Sequence, residues 1–313
     1  MHDRSDWVSE PRRAPPRPQP CATITPHPAQ NGDPPRPHLD QYRDRIADAV
    51  RTVRATTPLS GSITNFVTID FVANAQLAAG GSAAMVYLPD EGEALGTMSG
   101  SFYVNVGTLL PSHEETMCRT ATVLCERKTP WVLDPVGIGL GAVRGRILAH
   151  MKDNPPTIIR CNASEAIALA DTWGLEGDYA TGGVKGVDST DDVDTARSAA
   201  IALARHIRGA VAVSGPIDLV TDGTLVAHSR GGSPLMEKVT GFGCALGGVV
   251  AVYAACADPF AAALAGSAAF NCAATRAAAQ TDAPASFKVA FIDELYRATP
   301  ADIAENPLVI EGA

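Results

Sequence analysis

Three short polar stretches close apolar runs, and the side chains they carry could act together on one anion. Asp134-Pro135-Val136-Gly137 follows Trp131-Val132-Leu133, Arg160-Cys161-Asn162-Ala163-Ser164-Glu165 follows Thr157-Ile158-Ile159, and Ser214-Gly215-Pro216 follows Val211-Ala212-Val213. A fourth stretch, Thr240-Gly241-Phe242-Gly243-Cys244, precedes an uncharged Ala/Gly/Val pattern that runs to Ala257. Asp134 and Glu165 offer oxygen ligands of the kind a hard divalent cation takes. Arg160 offers a planar fork of N–H donors for phosphate, and Ser214 a hydroxyl. Gly241 and Gly243 let the backbone turn sharply, so that the N–H groups of a helix beginning near Cys244 face an anion. The same positive helix end favours a thiolate at Cys244. Together these groups suit phosphoryl transfer, which depends on positioning and on stabilising spread negative charge. Each also has a plainer reading. Asp-Pro is an ordinary turn starter, serine is common in turns, Asn162 and Glu165 have the spacing of a helix capping box, and a cysteine before a buried helix can be a small apolar filler.

Other chemistries find less support. No G-x-x-x-x-G-K-[ST] run is present, so a phosphate grip would have to be the late glycine turn. Gly137-Ile138-Gly139-Leu140-Gly141-Ala142 can be forced onto a dinucleotide pattern, but the next strand ends in Arg160 where that pattern wants an acid. There is no CxxC, HExxH or histidine cluster, and Cys118 and Cys125, seven apart in a helical pattern, share a face as core residues. A formal charge of -9 and a pI near 5.2 argue against partners held by positive charge, such as nucleic acid or a membrane surface. Seven cysteines without a regular framework point to a reducing compartment, hence a cytoplasmic location.

The elements that must position these residues read as alternating strands and helices. Residues 1–37 hold ten of the 23 prolines with several arginines and no apolar period, and are expected to be a disordered tail. From residue 38 to 313 one domain is expected. Helices are predicted at 38–55, from the turn-rich Gly61-Ser62-Ile63-Thr64-Asn65 to Ala79, and at 114–127, 142–152, 164–173 and 191–207. Strands are predicted at 84–88, 103–106, 131–133, 157–159 and 210–213. This order implies a mainly parallel sheet covered on both faces, with ligands at the carboxyl ends of its strands. Residues 217–226 read as a hairpin about Asp222-Gly223 that edges the sheet. Beyond Gly241 the chain reads as helical nearly to its end, and the run 239–257 as a helix packed inside the protein rather than one crossing a membrane.

In order, the motifs Ile63-Thr64-Asn65-Phe66-Val67-Thr68, Phe71-Val72-Ala73-Asn74, Asn105-Val106-Gly107-Thr108-Leu109, Asp134-Pro135-Val136-Gly137, Asn162-Ala163-Ser164-Glu165, Val220-Thr221-Asp222-Gly223 and Thr240-Gly241-Phe242-Gly243-Cys244 resemble the hydroxyethylthiazole kinase family. The resemblance spans Tyr42 to Tyr296. It implies a ribokinase-like three-layer α/β/α fold, with a mainly parallel central sheet, helices on both faces and a helical C-terminal third. It also implies transfer of the ATP γ-phosphoryl group, with Mg²⁺, to the alcohol of 4-methyl-5-(2-hydroxyethyl)thiazole in thiamine synthesis and salvage. By the match, Asp134 and Glu165 are expected at the metal, Arg160 and Ser214 at ATP, and Met85 and Gly241 at the thiazole. The loop Gly241-Phe242-Gly243-Cys244 is expected to form the anion hole, with Cys244 where the wider superfamily has an aspartate base. A homotrimer with sites between subunits is implied too. The sequence departs from the family at Cys161 for glycine, Ser214 for threonine, Asp70 for asparagine, Ala83 for proline, and in Ala283-Pro284-Ala285-Ser286-Phe287 for a Gly-Pro-Gly-Ser-Phe pattern. Cys161 would put a side chain into a backbone-only site and Asp70 a charge near the thiazole entry. A kinase for another heterocyclic alcohol, or a silent thiazole- or nucleotide-binding relative, are the alternatives.

Overall fold

The computed structural model describes residues 38–177 and 193–313, so the proline-rich stretch at residues 1–37 and the start of the helix expected at 191 lie outside the described residues. One nine-stranded sheet runs in the order β2-β1-β3-β4-β5-β6-β7-β8-β9. Its strands are β1 (Leu59–Ile63), β2 (Ser82–Met85), β3 (Ser101–Asn105), β4 (Trp131–Asp134), β5 (Ile158–Asn162), β6 (Ala210–Ser214), β7 (Asp218–Thr221), β8 (Leu225–Ser229) and β9 (Leu308–Gly312). Pairing is parallel from β2 through β6 and antiparallel from β6 through β9. Helices cover both faces, as crossovers between parallel strands require. On one face lie α1 (His38–Thr56), α2 (Ile69–Ala78), α8 (Phe242–Ala254), α9 (Pro259–Ala278) and α10 (Pro284–Arg297). The other carries α4 (His113–Arg127), α5 (Ala142–Asp153), α6 (Ala163–Thr172) and α7 (Val193–Ile207). The short helices α3 (Pro89–Met98) and α11 (Pro300–Ala304) complete the set.

Two apolar clusters fill the spaces above and below the sheet, and the strands feed them alternately. Tyr103, Val132, Ile158, Ala212 and Val220 join the cluster beneath α8 and α9, whereas Phe102, Leu133, Ile159, Cys161, Val213 and Leu219 join the one beneath α4 to α7. This is the two-residue alternation of a strand. Cys161 is therefore fully buried in the core beneath α6 and does not project into the face that holds Arg160.

Several elements differ from the sequence reading. The stretch Gly61 to Asn65 opens as the buried strand β1, not as a turn-rich helix entry. Its Ser60 and Ser62 hydroxyls meet Gln76 Nε2 at 3.4 and 3.1 Å, and Ser60 also meets Ser101, so polar side chains do the packing that apolar ones usually signal. Helix α3 carries Gly92 and Gly96 on the side facing Thr120 and Leu124 of α4, and these glycines hide its apolar face. The chain ends as strand β9, which covers β8, so the hairpin does not form the sheet edge. Strand β2 begins two residues earlier than expected, and α8 starts at Phe242 with Gly241 as its cap.

Helix α8 is entirely buried apart from its half-exposed second residue, Gly243, and its glycines set how closely it approaches the sheet. A Cβ on Gly247 would lie 2.4 Å from Tyr103 Cε2, and one on Gly243 would lie 2.4 Å from Arg160 Nη1. Among the described residues no helix is long and apolar enough to cross a membrane. The close approach has a measurable signature. Gly247→Val should lower stability by about 2 kcal/mol through overpacking. Gly145→Ala, on exposed α5 with nothing within 4 Å of the added atom, should raise it by up to about 1 kcal/mol through helix propensity. Thermal unfolding of the two variants checks the opposite signs.

Candidate active site

The site residues share one phase of the pleat. Two places beyond Tyr103, Val132, Ile158 and Ala212, all of which face α8 and α9, come Asn105, Asp134, Arg160 and Ser214. Each closes its strand or stands within two residues of that strand's carboxyl end. Asn105 is the direct cross-strand partner of Asp134, and Arg160 of Ala212. The N-terminus of α8 arrives over this edge.

Asp134 is fully buried and its Oδ2 is crowded with donors. Tyr103 Oη donates at 2.8 Å, Asn105 Nδ2 at 3.1 Å, and Arg160 Nη1 stands at 3.5 Å. Its other oxygen, Oδ1, is buried with no hydrogen-bond partner. Burial pushes the Asp134 carboxyl up to about 7, helped by the charge of Glu165 and opposed by Arg160 and by its two side-chain donors. Burial works against the Arg160 guanidinium, yet Asp134 and Glu165 more than offset it and keep it charged. Arg160 Nη2 also donates to Ser214 Oγ at 3.0 Å.

Glu165 completes a capping box on α6. Its Oε2 accepts the Asn162 N–H at 2.9 Å, and Asn162 Oδ1 accepts the Glu165 N–H at 2.8 Å. The capping reading of this pair therefore holds, and the charge of Glu165 still acts on both Asp134 and Arg160.

Gly241 has φ +96°, and a Cβ there would strike Thr68 Cγ2 at 2.8 Å, so the turn that opens α8 needs glycine. No side chain caps α8, which leaves its first-turn N–H groups available beside Arg160. Cys244 stands in that first turn and is 9% exposed. Its Sγ receives Asn105 Nδ2 at 3.3 Å and Asn65 Nδ2 at 3.5 Å. Burial, and then the charge of Asp134, push the thiol up against the pull of the helix end.

Asp134, Arg160, Glu165, Ser214, Gly243 and Cys244 thus come together. Met85 closes edge strand β2, two strands from Asn105, at the same sheet edge, and packs against the apolar cluster that includes Phe242 and Cys244. Tyr103, Asn105, Asn65 and Asp218 belong to the site without having been singled out for it. An asparagine ending an apolar strand beside an aspartate was the available signal for Asn105.

The sequence and the fold were compared with known proteins. The model of the hydroxyethylthiazole kinase family matches residues 50–301. The chain belongs to the hydroxyethylthiazole kinase family. A hydroxyethylthiazole kinase of Bifidobacterium longum subsp. infantis is 48% identical over 309 residues, covering 93% of this chain and 96% of its own. One of Gemmatimonas aurantiaca is 40% identical over 263 residues, covering 84% and 92%. The solved structure of the Pyrococcus horikoshii hydroxyethylthiazole kinase superposes with a TM-score of 0.76 at 28% identity, covering 86% of this chain and 99% of that one. The family departures fall mostly away from the cluster. Asp70 is exposed on the first turn of α2 and accepts from Asn74 Nδ2 at 2.9 Å, and Ala83 pairs with Ser60 on edge strand β2.

Asp218 lies on the same sheet face beyond Ser214, with Oδ1 accepting the Gly215 N–H and Oδ2 accepting from Asn271, both at 3.1 Å. Burial outweighs these bonds and raises its carboxyl to about 6. A carboxyl raised on folding makes the folded state bind its proton more tightly, so its contribution to stability is largest at low pH and is lost as pH climbs through the raised value. Against Asp218→Asn, the wild type should lose up to about 3 kcal/mol between about pH 4 and about pH 6, and no more above. Chemical denaturation of both proteins across that range checks the sign.

Proposed function

We propose that the protein transfers the γ-phosphoryl group of ATP to the primary alcohol of 4-methyl-5-(2-hydroxyethyl)thiazole, a step of thiamine synthesis and salvage. The observation that carries this reading is the meeting of a buried Arg160, its partners Asp134 and Ser214, and the uncapped N-terminus of α8 at one sheet edge. In a family of this name, that edge has the parts phosphoryl transfer needs. Arg160 and the Ser214 hydroxyl hold nucleotide phosphates. The first-turn N–H groups of α8, together with Arg160, stabilise the charge that develops on the transferred group. Gly241 and Met85 line the thiazole end, where the alcohol is aimed at the phosphorus. Cys244 sits where the alcohol must lose its proton. A thiol raised by burial yields little of the thiolate that could act as base, so alignment and electrostatics supply most of the rate.

The donor set fits a magnesium ion. Asp134 Oδ1 is buried without a partner and Glu165 lies close enough to shift Asp134. Magnesium commonly takes one or two carboxylates and completes its shell with phosphate and water. When bound, the ion would neutralise phosphate charge and draw the Asp134 carboxyl back toward its ionised form. A homotrimer in the cytoplasm, with the thiazole end of each site near a neighbour, completes the reading.

A coupled assay for ADP with the thiazole and a panel of other heterocyclic alcohols tests it, the thiazole being the expected best acceptor. Glu165→Gln should cut Mg-ATP turnover at least about a hundredfold. Turnover of another alcohol alone, or an unchanged rate in the variant, contradicts the substrate or the metal assignment respectively.

A further inference from the structure

Asn105 touches both reactive groups at once, and its orientation follows from chemistry alone. Its Oδ1 accepts the Gly107 N–H at 2.9 Å and Asn65 Nδ2 at 3.1 Å. A backbone N–H can only donate, so the oxygen must face Gly107 and the NH₂ must face the other way. The NH₂ group meets three acceptors: Tyr103 Oη at 2.8 Å, Asp134 Oδ2 at 3.1 Å and Cys244 Sγ at 3.3 Å. Tyr103 and Asp134 are themselves hydrogen-bonded, so one N–H serves that pair and the other serves the sulfur. Asn65 is locked by the same logic. Its Oδ1 accepts the Val67 N–H at 3.1 Å, which turns its Nδ2 toward Asn105 and Cys244.

We propose that Asn105 is a positioning residue that, with Asn65, presents Cys244 to the reaction as a hydrogen-bond acceptor while tying it to Asp134 at fixed separation. Both amides offer the sulfur only donors. A thiol hydrogen cannot point at either of them and is directed elsewhere, and a thiolate finds two N–H groups already in place. In the thiolate form, a lone pair that neither amide holds can take the alcohol proton as the alcohol oxygen bonds to the γ-phosphorus and the bridging bond to ADP breaks. That last step rests on the kinase reading; the orientation of the sulfur does not. Because the amide also holds Asp134 Oδ2, it leaves Oδ1 as the free oxygen.

Asn105→Asp is the informative change, since it keeps an Oδ1 acceptor for Gly107 and Asn65 and puts a carboxyl oxygen in place of the donors that face Asp134 and Cys244. Alkylation of the ligand-free protein by iodoacetamide at one fixed pH, resolved by peptide mass spectrometry, reads Cys244 directly, with half-buried Cys118 and Cys125 as internal references. Cys244 should react about tenfold or more slowly in the variant, the loss expected when a charge-assisted hydrogen bond is removed, while the references stay unchanged. A rate within about twofold of wild type in folded protein overturns the inference. Should circular dichroism show Asn105→Asp unfolded, Asn65→Asp is read in the same way, with a fall of about threefold or more expected and no fall overturning it. In the kinase assay kcat should drop with Cys244 reactivity while KM for the thiazole moves little. Slower alkylation with unchanged kcat would support the positioning of the sulfur and overturn the role of Cys244 in the kinase reading.

Discussion

The buried Arg160–Asp134 pair is the constraint on which the rest of the site depends. A guanidinium and a carboxyl lie together under helix α8, in surroundings where an unpaired charge would cost several kcal/mol. Arg160 also stands beside a helix N-terminus, whose partial positive charge repels it, so the pair persists only because Asp134 and Glu165 supply the opposing charge. That brings the guanidinium and the start of α8 side by side. Gly243 permits it, since any side chain there would occupy the space of the Arg160 guanidinium.

Strand parity delivers these groups to one place. Asn105, Asp134, Arg160 and Ser214 keep the phase of the apolar residues behind them, so the packing that buries Tyr103, Val132, Ile158 and Ala212 beneath α8 and α9 also points the polar ends toward α8. Parallel pairing from β2 to β6 puts all these ends at the same edge. The small residues of α8 then bring backbone N–H groups close enough to serve as part of the site. Stability and chemistry thus use the same glycines: Gly247 accommodates Tyr103, whose hydroxyl binds Asp134.

Much of this was legible because Asp134, Arg160 and Ser214 each break an apolar run at a strand end, where a polar residue is conspicuous. The α/β class was legible for the same reason, as strands and helices alternate with clear periods. Asn105 was hidden by being read as the middle of a strand, and β1 by serines that pack through hydrogen bonds to Gln76. The glycines of α3 concealed a helix, and β9 was lost among C-terminal helices because only its first residue is buried. Cys161 shows what parity could have settled earlier: counting by twos from Ile159 puts its side chain in the core beneath α6 and away from Arg160. The surroundings of the Cys244 thiol were only partly legible, because the helix end is visible in a sequence, whereas burial and the neighbouring Asp134 are not.

The central claim is that the Arg160–Asp134 pair and the start of α8 form a phosphate cradle. A crystal structure of the protein with magnesium, the thiazole and a nonhydrolysable ATP analogue tests this most directly. The account requires the terminal phosphate to meet the Arg160 guanidinium and the first-turn N–H groups of α8, with the metal on Asp134 Oδ1. Phosphates bound instead at the glycine loop of residues 137–141, with Arg160 still engaged only by Asp134 and Ser214, would contradict it.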